Sequence, residues 1–376
     1  MNHHQFSFCR EMYKLLGGSF TFVATKPLAK ERLKLGFSDM NKQHPFILTV
    51  YDSKENAVKA MELAFESDVV IHGSAPEVYV TERMKHNKLT FRYSERIFKR
   101  GIWRILDPRV LISLLKRHTK YRSSNLYMLC ASAYTAGDCA LVGAYPQKCF
   151  KWGYFPEFIK RDLQERRNSD KERLEILWCG RFLDWKHPEY AVYLAKYLRS
   201  KGYDFHINMI GTGNYENKIR SMIQSSQLDE KISMLGAMPH KRVRDYMYAS
   251  DIFLFTSDYN EGWGAVLNES MNSGCAVLAS HAIGSVPFLI NNNRNGLVYK
   301  YGNIDDFCKK AESLLLDEGL RKMLGKNAYK TLQQEWNPEN AAESFIDLSE
   351  SLLHGKLNCS KSGPCSRAFP LKQWQF

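Results

Sequence analysis

Two acidic residues enclose a short glycine-containing segment, which is the best candidate in the chain for binding chemistry. Glu261 and Glu269 lie eight residues apart, and Gly262 and Gly264 lie within three residues after the first acid. Glycines allow backbone amides to approach a phosphate closely, and the N-terminus of a helix favours an anion. The spacing alone leaves two interpretations open. One is an anion-binding site, and the other is a Glu that supports a helix dipole followed by a second Glu on the helix surface.

A second candidate group consists of two cations, Arg181 and Lys186, in a turn after the predicted strand 174–178. Ligands of parallel sheets bind at the carboxyl ends of the strands, so this pair is a candidate phosphate site. A lone Arg and Lys near a turn are otherwise usually surface residues. Gly211 and Gly213 end another predicted strand, but short glycine pairs end many strands and are a weak indication.

The elements around Glu261 predict where this segment lies in a fold. An apolar run at 252–255 predicts a buried strand, a polar loop follows, and a helical pattern continues through Met271. After an Asn-Ser-Gly stop, residues 275–279 form another apolar run. Strand–loop–helix–strand units build parallel α/β sheets, so the glycines lie where a ligand would bind.

The same alternation of short strands and helices runs through the chain and predicts a doubly wound α/β fold. Further strands are predicted at 20–24, 46–50, 69–72, 125–130, 174–178, 205–210 and 232–235. Glycine and proline interrupt residues 143–156 and a dense charge run follows, so we place a domain boundary near residue 157. The predicted organisation is an N-terminal domain 1–156, a second domain 157–335, a C-terminal helix 336–356 and a disordered tail 357–376.

Composition predicts a globular protein without a membrane-spanning segment. Of the 376 residues, 44% are hydrophobic and 25% are charged, which suits two or three domains. No apolar run approaches the ~18 residues that a membrane helix needs. The nine cysteines are odd in number and form no Cys-x-x-Cys pair. They predict reduced, mostly buried thiols in a cytoplasmic protein and argue against a zinc site.

The net charge of +13 is concentrated in residues 83–122, which hold thirteen Lys or Arg and two acids. Aromatic residues interleave with these charges, and residues 108–118 read as a short helix. Three interpretations are open: a solvated basic face, a surface for an anionic membrane or anionic lipid acceptor, and nucleic acid. Nucleic acid ranks last, because no DNA-binding or RNA-binding motif accompanies the charge.

The segment EGWGAVLNES, residues 261–270, resembles the Glu-x7-Glu signature of retaining GT-B glycosyltransferases of the family-4 kind. The match continues through SGCAVLAS, GSVPFLI and NGLVY, and residues 180–186 match the GR-x4-K segment of the same enzymes. NHHQ, HGSAP, FRYSER and KWGYFPE are similar to segments of bacterial enzymes that build capsule or other surface polysaccharides. The resemblance implies an α/β GT-B fold, in which two Rossmann-like, doubly wound domains face a cleft.

The resemblance also implies roles on the donor side. Glu261 would bind hydroxyls of the donor sugar, Glu269 would bind the ribose of the nucleotide, and amides near Trp263 and Gly264 would hold sugar and phosphate. The two cations of the turn would neutralise the leaving diphosphate without a metal or another cofactor. The implied catalytic residues are Glu261, Arg181, Lys186 and His72, and the implied donor-binding residues are Gly180, Gly211, Gly213, Met238, Gly262, Trp263, Gly264, Ala265, Val266 and Glu269.

On the acceptor side, the resemblance points to the N-terminal domain. His72, at the end of a predicted strand before a Gly-Ser turn, is expected to line the site, although a lone His at a strand end is more often structural. Enzymes of this kind usually begin with a strand and a Gly-rich turn ahead of the segment similar to NHHQ, so we expect this chain to lack its first strand. Weaker candidates for the site are Tyr93, Glu95, Arg96, His3 and His4.

The implied function is transfer of a hexose from a nucleotide-sugar donor to a glycan or lipid-linked acceptor, with retention of configuration, in polysaccharide biosynthesis. The expected location is the cytoplasm, or the inner face of the membrane if the basic stretch binds anionic lipid. Alternatives are a GT-B epimerase or phosphorylase, and a nucleotide-sugar-binding protein without turnover. A nucleic-acid partner is not expected.

Overall fold

The computed structural model describes residues 1, 3–28, 39–163 and 173–371, which form two compact units. Unit 1 contains Met1–Glu157 together with the described residues from Glu335 onward, and unit 2 contains Phe158–Gln334. The C-terminal end of the chain thus belongs to the same unit as the N-terminal part. Within the described residues, no helix is both long and apolar enough to cross a membrane.

Unit 1 is built on two parallel sheets. The strands are β1 (Phe22–Ala24), β2 (Ile47–Thr49), β3 (Val70–His72), β4 (Thr90–Ser94), β5 (Leu126–Cys130) and β6 (Cys149–Lys151). The helices that accompany them are α1 (His3–Leu16), α2 (Lys54–Glu66), α3 (Val78–Lys85), α4 (Pro108–Arg117) and α5 (Thr135–Leu141). β1 pairs with β2, and the other strands form one sheet in the order β3-β4-β5-β6. A helix connects each neighbouring pair in this larger sheet, as parallel pairing requires.

Two strands of unit 1 are absent from the sequence prediction. β4 contains Arg92, whose charge interrupts the apolar pattern by which a buried strand is predicted from a sequence. In the structure its guanidinium donates two hydrogen bonds to the Glu77 carboxylate, at 3.0 and 2.6 Å, so the buried charge is compensated. β6 lies within residues 143–156, where glycine and proline indicate a linker, and three residues are too few for a periodic pattern.

The C-terminal helix, Pro338–Leu353, is part of the core of unit 1. The ring of its Phe345 lies 5.0 Å from that of Phe91 in β4 and 6.4 Å from that of Phe8 in α1, measured between centroids. Trp152, which follows β6, lies 5.8 Å from the same ring. These contacts bury the apolar stripe of the helix and attach the helix to unit 1.

The chain after this helix follows the free edge of β6. The Lys151 amide donates a hydrogen bond to the Ser366 carbonyl at 2.7 Å, and Cys365 is fully buried beside it. A free strand edge presents donors and acceptors that need partners, and this segment supplies them. The prediction of a disordered tail at 357–376 is therefore wrong for residues 363–368, while residues 372–376 lie outside the described residues.

Unit 2 is built on one sheet of six parallel strands. The strands are β7 (Leu174–Cys179), β8 (Phe205–Ile210), β9 (Ile232–Gly236), β10 (Ile252–Phe255), β11 (Ala276–Ser280) and β12 (Leu297–Tyr299). The helices are α6 (Glu189–Ser200), α7 (Glu216–Ser225), α8 (His240–Ala249), α9 (Val266–Asn272), α10 (Val286–Leu289), α11 (Ile304–Leu316) and α12 (Glu318–Gln334), and the C-terminal helix of unit 1 is α13. The spatial order is β12-β11-β10-β7-β8-β9, so the order reverses between β7 and β10. Ligands of such sheets bind at this reversal, the topological switch point.

Apolar side chains fill β10 and β11 of unit 2 almost without interruption. All four residues of β10 and all five of β11 are buried. Such runs are expected where helices cover both faces of a parallel sheet. For this reason the sequence predicts these strands to within a residue or two, whereas the three-residue β12 is missed.

A buried guanidinium connects the helices and strands at one end of the larger sheet of unit 1. Arg83 is fully buried and donates hydrogen bonds to the carbonyls of Ala64 and Ser67, both at 2.7 Å, where α2 ends. It also donates to the carbonyls of Asp68 at 3.0 Å and Leu89 at 2.6 Å. Arg83 thereby supplies donors to carbonyls that the end of a helix leaves without partners.

Arg83→Met is expected to destabilise unit 1 by about 3 kcal/mol or more, because it leaves buried carbonyls without donors. Lys85→Met, two residues further along the same helix, removes an exposed cation that pairs with Glu82 and should cost less than about 0.5 kcal/mol. Urea unfolding followed by circular dichroism measures both variants. Equal stability of the two would contradict the structural role of Arg83.

Candidate active site

The turn after β7 and the loop after β10 leave adjacent strands at the switch point. A chain of hydrogen bonds connects them. Trp178 Nε1 in β7 donates to Thr256 Oγ1 at 2.9 Å, and this hydroxyl donates to the Lys186 carbonyl at 2.7 Å. Trp178 and Thr256 are both buried. Because the donor and acceptor functions of the hydroxyl are both satisfied, the turn that carries Lys186 is fixed relative to the loop.

Lys186 and Glu261 form an ion pair between this turn and this loop. Their side chains are 13% and 10% exposed, and Ser257 Oγ donates to the same carboxylate oxygen, Oε2, at 2.9 Å. Within the described residues, the other oxygen of Glu261, Oε1, accepts no hydrogen bond. A largely buried carboxylate needs such partners to offset its lost hydration, and its open oxygen can accept a hydrogen bond from a hydroxyl group of a ligand. Two of the predicted catalytic residues are thus in direct contact.

Arg181 is exposed on the same turn, and its guanidinium forms no ion pair with the part of the chain that the structure describes. Such a guanidinium can bind a phosphate through two parallel hydrogen bonds. Gly180 precedes it, and a Cβ at Gly180 would meet no neighbouring atom closer than 3.5 Å. Packing within the protein therefore does not require glycine at position 180.

The predicted donor-binding glycines at the end of β8 have a packing role. A Cβ on Gly211 would lie 1.9 Å from the Gly180 carbonyl oxygen, and a Cβ on Gly213 would lie 2.3 Å from the Phe182 carbonyl oxygen. The Phe182 amide donates to the Thr212 carbonyl at 2.9 Å, so the turns after β7 and β8 run in contact. This contact requires glycine at both positions before any ligand is considered. Their role in donor binding stays a prediction.

Glu269 lies in the first turn of α9 and is buried, with only 4% of its side chain exposed. Nε2 of His240, the first residue of α8, lies 3.0 Å from Glu269 Oε1. Burial raises the pKa of the Cys179 thiol at the end of β7 to about 12, and the charge of Glu269 adds to this while that of Lys186 opposes it. Glu269 and Lys186 thus both act on the carboxyl end of β7, and the interpretation of Glu269 as a helix-surface residue is wrong.

Trp263, between the two acids, is an internal anchor. Its side chain is fully buried, its Nε1 donates to Asn268 Oδ1 at 2.8 Å, and its carbonyl accepts from Ser285 Oγ at 2.5 Å. The indole therefore belongs to the core, which leaves only the backbone of this residue for a ligand. At Gly264, the Phe255 ring comes within 2.3 Å of where a Cβ would lie. The other predicted donor-binding residues of unit 2 are Gly262 and Ala265, which are buried, and Val266 and Met238, which are partly buried.

His187 adds a second connection between turn and loop, which sequence reasoning missed. Its Nδ1 lies 2.8 Å from Glu189 Oε1, and its Nε2 lies 3.6 Å from Asp258 Oδ2 in the loop before Glu261. Burial lowers the pKa of this imidazole, but the nearby Asp258 carboxylate, the hydrogen bond to Glu189 and the charges of both acids outweigh burial and raise the pKa to about 9. His187 is therefore a cation at neutral pH. The indication in the sequence was its position directly after Lys186, a predicted catalytic residue.

His72 lies in unit 1, where it ends β3 and is buried. Its Nε2 donates to the Pro76 carbonyl at 3.2 Å and closes the turn after the strand. Burial and the charge of Arg92 lower the pKa of the imidazole, which keeps the ring neutral at pH 7. In the described part of the chain, its buried Nδ1 has no hydrogen-bond partner. The role of His72 in an acceptor site stays a prediction.

The weaker candidates of unit 1 are engaged by other residues of the protein. Arg96 and Asp138 form a buried ion pair, with 3.2 Å between Nη2 and Oδ1. Glu95 accepts a hydrogen bond from the Tyr154 hydroxyl at 2.6 Å. The other three are Tyr93, which is partly buried, His4, whose ring stacks on that of Tyr154, and His3, whose side chain lies outside the described residues.

Among the described residues, no group of three or more His, Cys, Asp or Glu side chains is arranged to hold a metal ion. All nine cysteines are free thiols, and seven of them are buried. The prediction of a site without a metal therefore rests on the cations Arg181 and Lys186, and it stays a prediction.

Residues 159–331 match the family model described as glycosyl transferases group 1. This range contains the switch point, the paired Lys186 and Glu261, and the buried Glu269. The match covers less than half of the chain, and it shows that this range is similar to a group 1 glycosyltransferase domain.

Two curated relatives match part of the chain. One is the N-acetylgalactosamine-N,N'-diacetylbacillosaminyl-diphospho-undecaprenol 4-alpha-N-acetylgalactosaminyltransferase of Campylobacter jejuni, which is 31% identical over 173 residues, 46% of this chain and 45% of that protein. Another is the amylovoran biosynthesis glycosyltransferase AmsK of Erwinia amylovora, which is 28% identical over 142 residues, 36% of this chain and 35% of that protein. The chain spans less than half the length of these relatives.

The fold of the whole chain is similar to that of Anabaena Alr3699/HepE, solved in complex with UDP, with a TM-score of 0.71. The likeness covers 93% of this chain and 96% of that chain at 13% identity, so it concerns the fold alone. That fold is GT-B, an α/β arrangement of two Rossmann-like domains, and the predicted fold class is confirmed.

In unit 2, Gly180→Ala is expected to leave stability unchanged and to weaken UDP binding about tenfold, because the protein has room for the Cβ but a closely bound diphosphate does not. Gly211→Ala should instead destabilise the fold by about 2 kcal/mol or more, since its Cβ would overlap a carbonyl oxygen. Thermal unfolding and calorimetric titration with UDP separate the two effects. Unchanged UDP affinity in Gly180→Ala would remove position 180 from the donor site.

His187→Gln is expected to remove a pH dependence of stability. The folded-state pKa of about 9 lies above the ordinary value of 6.5, so the imidazolium stabilises the domain fully below pH 6.5, and this contribution is lost as the pH rises through 9. Between pH 6.5 and about 9.5, the parent should lose on the order of 2 kcal/mol more than the variant in urea unfolding. His354→Gln, at an exposed position after α13, should behave like the parent. Parallel pH profiles for the parent and His187→Gln would contradict a stabilising connection between turn and loop through His187.

Proposed function

We propose that the protein is a retaining glycosyltransferase that moves a hexose from a nucleotide-sugar donor to a glycan or lipid-linked acceptor in polysaccharide biosynthesis. The observation that carries this proposal is the contact of Lys186 with Glu261, on the same turn as the exposed Arg181, at the switch point of a range that is similar to a group 1 glycosyltransferase domain. Two cations and a carboxylate with one open oxygen lie at the strand ends where ligands of such sheets bind. These are the groups that a sugar linked to a diphosphate requires.

Three parts of a nucleotide-sugar donor, the sugar, the diphosphate and the ribose, have counterparts here. Oε1 of Glu261 accepts a hydrogen bond from a sugar hydroxyl, and Arg181 binds the diphosphate from the solvent side. Glu269 accepts the ribose hydroxyls after His240 has turned away from its Oε1. The side chain of His240 is 42% exposed, so it can rotate into water at little cost.

The reaction requires stabilisation of a leaving diphosphate. The bond between the anomeric carbon and the diphosphate oxygen breaks, and a bond to the acceptor oxygen forms on the same face of the sugar. The acceptor hydroxyl gives its proton to the departing phosphate. Negative charge develops on the diphosphate, and Arg181 and Lys186 stabilise it without a metal. Because Thr256 and Glu261 already hold Lys186, little reorganisation accompanies this step.

The proposed acceptor class rests on the relatives. The name of the C. jejuni relative gives a diphospho-undecaprenol-linked sugar, and that of the E. amylovora relative gives amylovoran biosynthesis. We extend a glycan or lipid-linked acceptor to this chain, with His72 of unit 1 in the acceptor site. An anionic membrane surface is the further partner that the basic stretch supports.

UDP-glucose is the first donor probe, because an Anabaena Alr3699/HepE structure contains it. Glu261→Gln should lower hydrolytic release of UDP from UDP-glucose, in which water takes the place of the acceptor, about a hundredfold with less than about a threefold change in UDP affinity, since its partner is the sugar. Glu269→Gln should weaken UDP binding about tenfold, because a neutral amide accepts ribose hydroxyls less strongly than a carboxylate. Glu216→Gln, which removes a surface pair with Arg220, is the matched control.

The other outcomes are distinguishable in the same assay. If UDP-glucose fails to bind, a thermal-shift screen of other nucleotide sugars finds the base and sugar, since a donor at about 100 times its Kd adds about 2.7 kcal/mol of stability. Release of β-glucose first, seen by NMR, would exclude retention, and loss of turnover in EDTA with recovery in magnesium would exclude a metal-free site. Binding without UDP release would indicate a binding protein, and conversion to another UDP-sugar would indicate an epimerase.

A further inference from the structure

The basic stretch 83–122 is not one uniformly charged face, because some of its cations form ion pairs or hydrogen bonds with other residues of unit 1. Arg83 is buried among carbonyls, Arg92 pairs with Glu77, Arg96 pairs with Asp138, and Lys99 pairs with Glu95. From residue 100 onward, the exposed cations are Arg100, Arg109, Lys116, Arg117, Lys120 and Arg122, of which Arg109 forms a solvent-exposed pair with Asp107. Exposed positive charge is therefore concentrated in the second half of the stretch.

Large apolar side chains are exposed in the same region. They lie on the 3-10 turn Ile102–Leu106 and on α4, two elements that pack against each other. Isolated exposed hydrophobic residues are ordinary on a protein surface, but a group of four within so short a segment is a candidate interaction site. The exposed fractions are 67% for Trp103, 80% for Leu106, 50% for Ile112 and 40% for Leu115, and we call these four residues the apolar cluster.

Apolar residues occupy both sides of α4. Leu114 is buried and attaches the helix to unit 1. Ile112 and Leu115 are exposed, and the exposed residues of the helix also include Arg109 and Lys116. A helix whose exposed side combines apolar residues with cations is typical of proteins that lie in the interface of an anionic bilayer.

The apolar cluster is presented by an ordered support. Asp138 Oδ2 accepts hydrogen bonds from the amides of Ile97 and Phe98, at 3.0 and 3.1 Å, and the Phe98 ring is buried. At Gly101, the Trp103 indole comes within 2.5 Å of where a Cβ would lie. Because the backbone below the cluster is already ordered, binding through it costs little conformational entropy.

We propose that the apolar cluster inserts into the interface of an anionic lipid bilayer, with the neighbouring cations on the lipid headgroups. An indole is favoured at the level of the headgroups, and each Lys or Arg close to an anionic surface strengthens binding about fivefold. A second copy of this chain is a poorer occupant. A two-fold contact through the cluster would bring Arg109 and Lys116 of both copies together, and like charges in one interface are repulsive.

This membrane contact goes beyond the proposed transfer reaction and does not depend on it. Vesicle binding is measured without a donor, and UDP binding is measured without vesicles. Either result can therefore fail while the other holds.

Flotation with phosphatidylcholine vesicles, with or without about 30% phosphatidylglycerol, tests the proposal. The parent should float with the anionic vesicles, and Trp103→Ser combined with Leu106→Ser should reduce binding about tenfold or more. Val58→Ser combined with Leu316→Ser is the matched control, because these residues are 57% and 61% exposed elsewhere on the two units. It should float like the parent, and all variants should keep the parent's affinity for UDP.

A second pair of variants separates insertion from attraction by charge alone. Arg109→Gln with Lys116→Gln should lower binding and its salt dependence, whereas Lys218→Gln with Lys309→Gln on unit 2 should not. On binding, tryptophan emission should shift to shorter wavelength in the parent and not in Trp103→Ser. Full binding by the Trp103 and Leu106 variant, equal binding to neutral vesicles, or a dimer that this variant abolishes would each overturn the proposal.

Discussion

One hydroxyl group, that of Thr256, couples the two strand ends on which the candidate site depends. It accepts a hydrogen bond from Trp178 in β7 and donates one to the Lys186 carbonyl, so both of its functions are satisfied inside the protein. A lysine on a free turn would have to lose about 2 kcal/mol of side-chain entropy to meet a carboxylate. Here the backbone on both sides of the Lys186–Glu261 pair is fixed before a ligand arrives.

The buried charges of the two units differ in how completely they are satisfied. The guanidinium of Arg83 has hydrogen-bond acceptors on all three of its nitrogens, and such a group stabilises structure. Glu261 differs, because both of its partners use Oε2 and no described residue donates to Oε1. A carboxylate that is held on one side and open on the other is rigid and can still bind. This difference, and not burial alone, separates the candidate site from the buried ion pairs of unit 1.

The sequence predicts the parts of this protein that are decided locally. The continuous apolar run of β10 and the alternating pattern of β8 predict both strands to the residue, and the acids and cations of the switch point have a recognisable spacing. What the sequence misses depends on distant partners. The sequence does not predict β4, because Arg92 interrupts the apolar pattern of the strand and the Glu77 carboxylate that compensates this charge lies outside it. The contact of His240 with Glu269, and that of Thr256 with Lys186, join segments far apart in the chain, and no local pattern predicts such contacts.

Charge in a sequence has the same limitation, since a count of Lys and Arg does not say which of them face water. The three interpretations of residues 83–122 all require positive charge, so its amount cannot choose among them. They differ in what they require of apolar residues. Exposure of Trp103 and Leu106 does not stabilise a solvated face, and the phosphate groups of a nucleic acid make no favourable contact with Ile112 and Leu115. An anionic bilayer gains free energy from burying such side chains beside cations, so the exposed apolar residues favour the membrane contact that we propose.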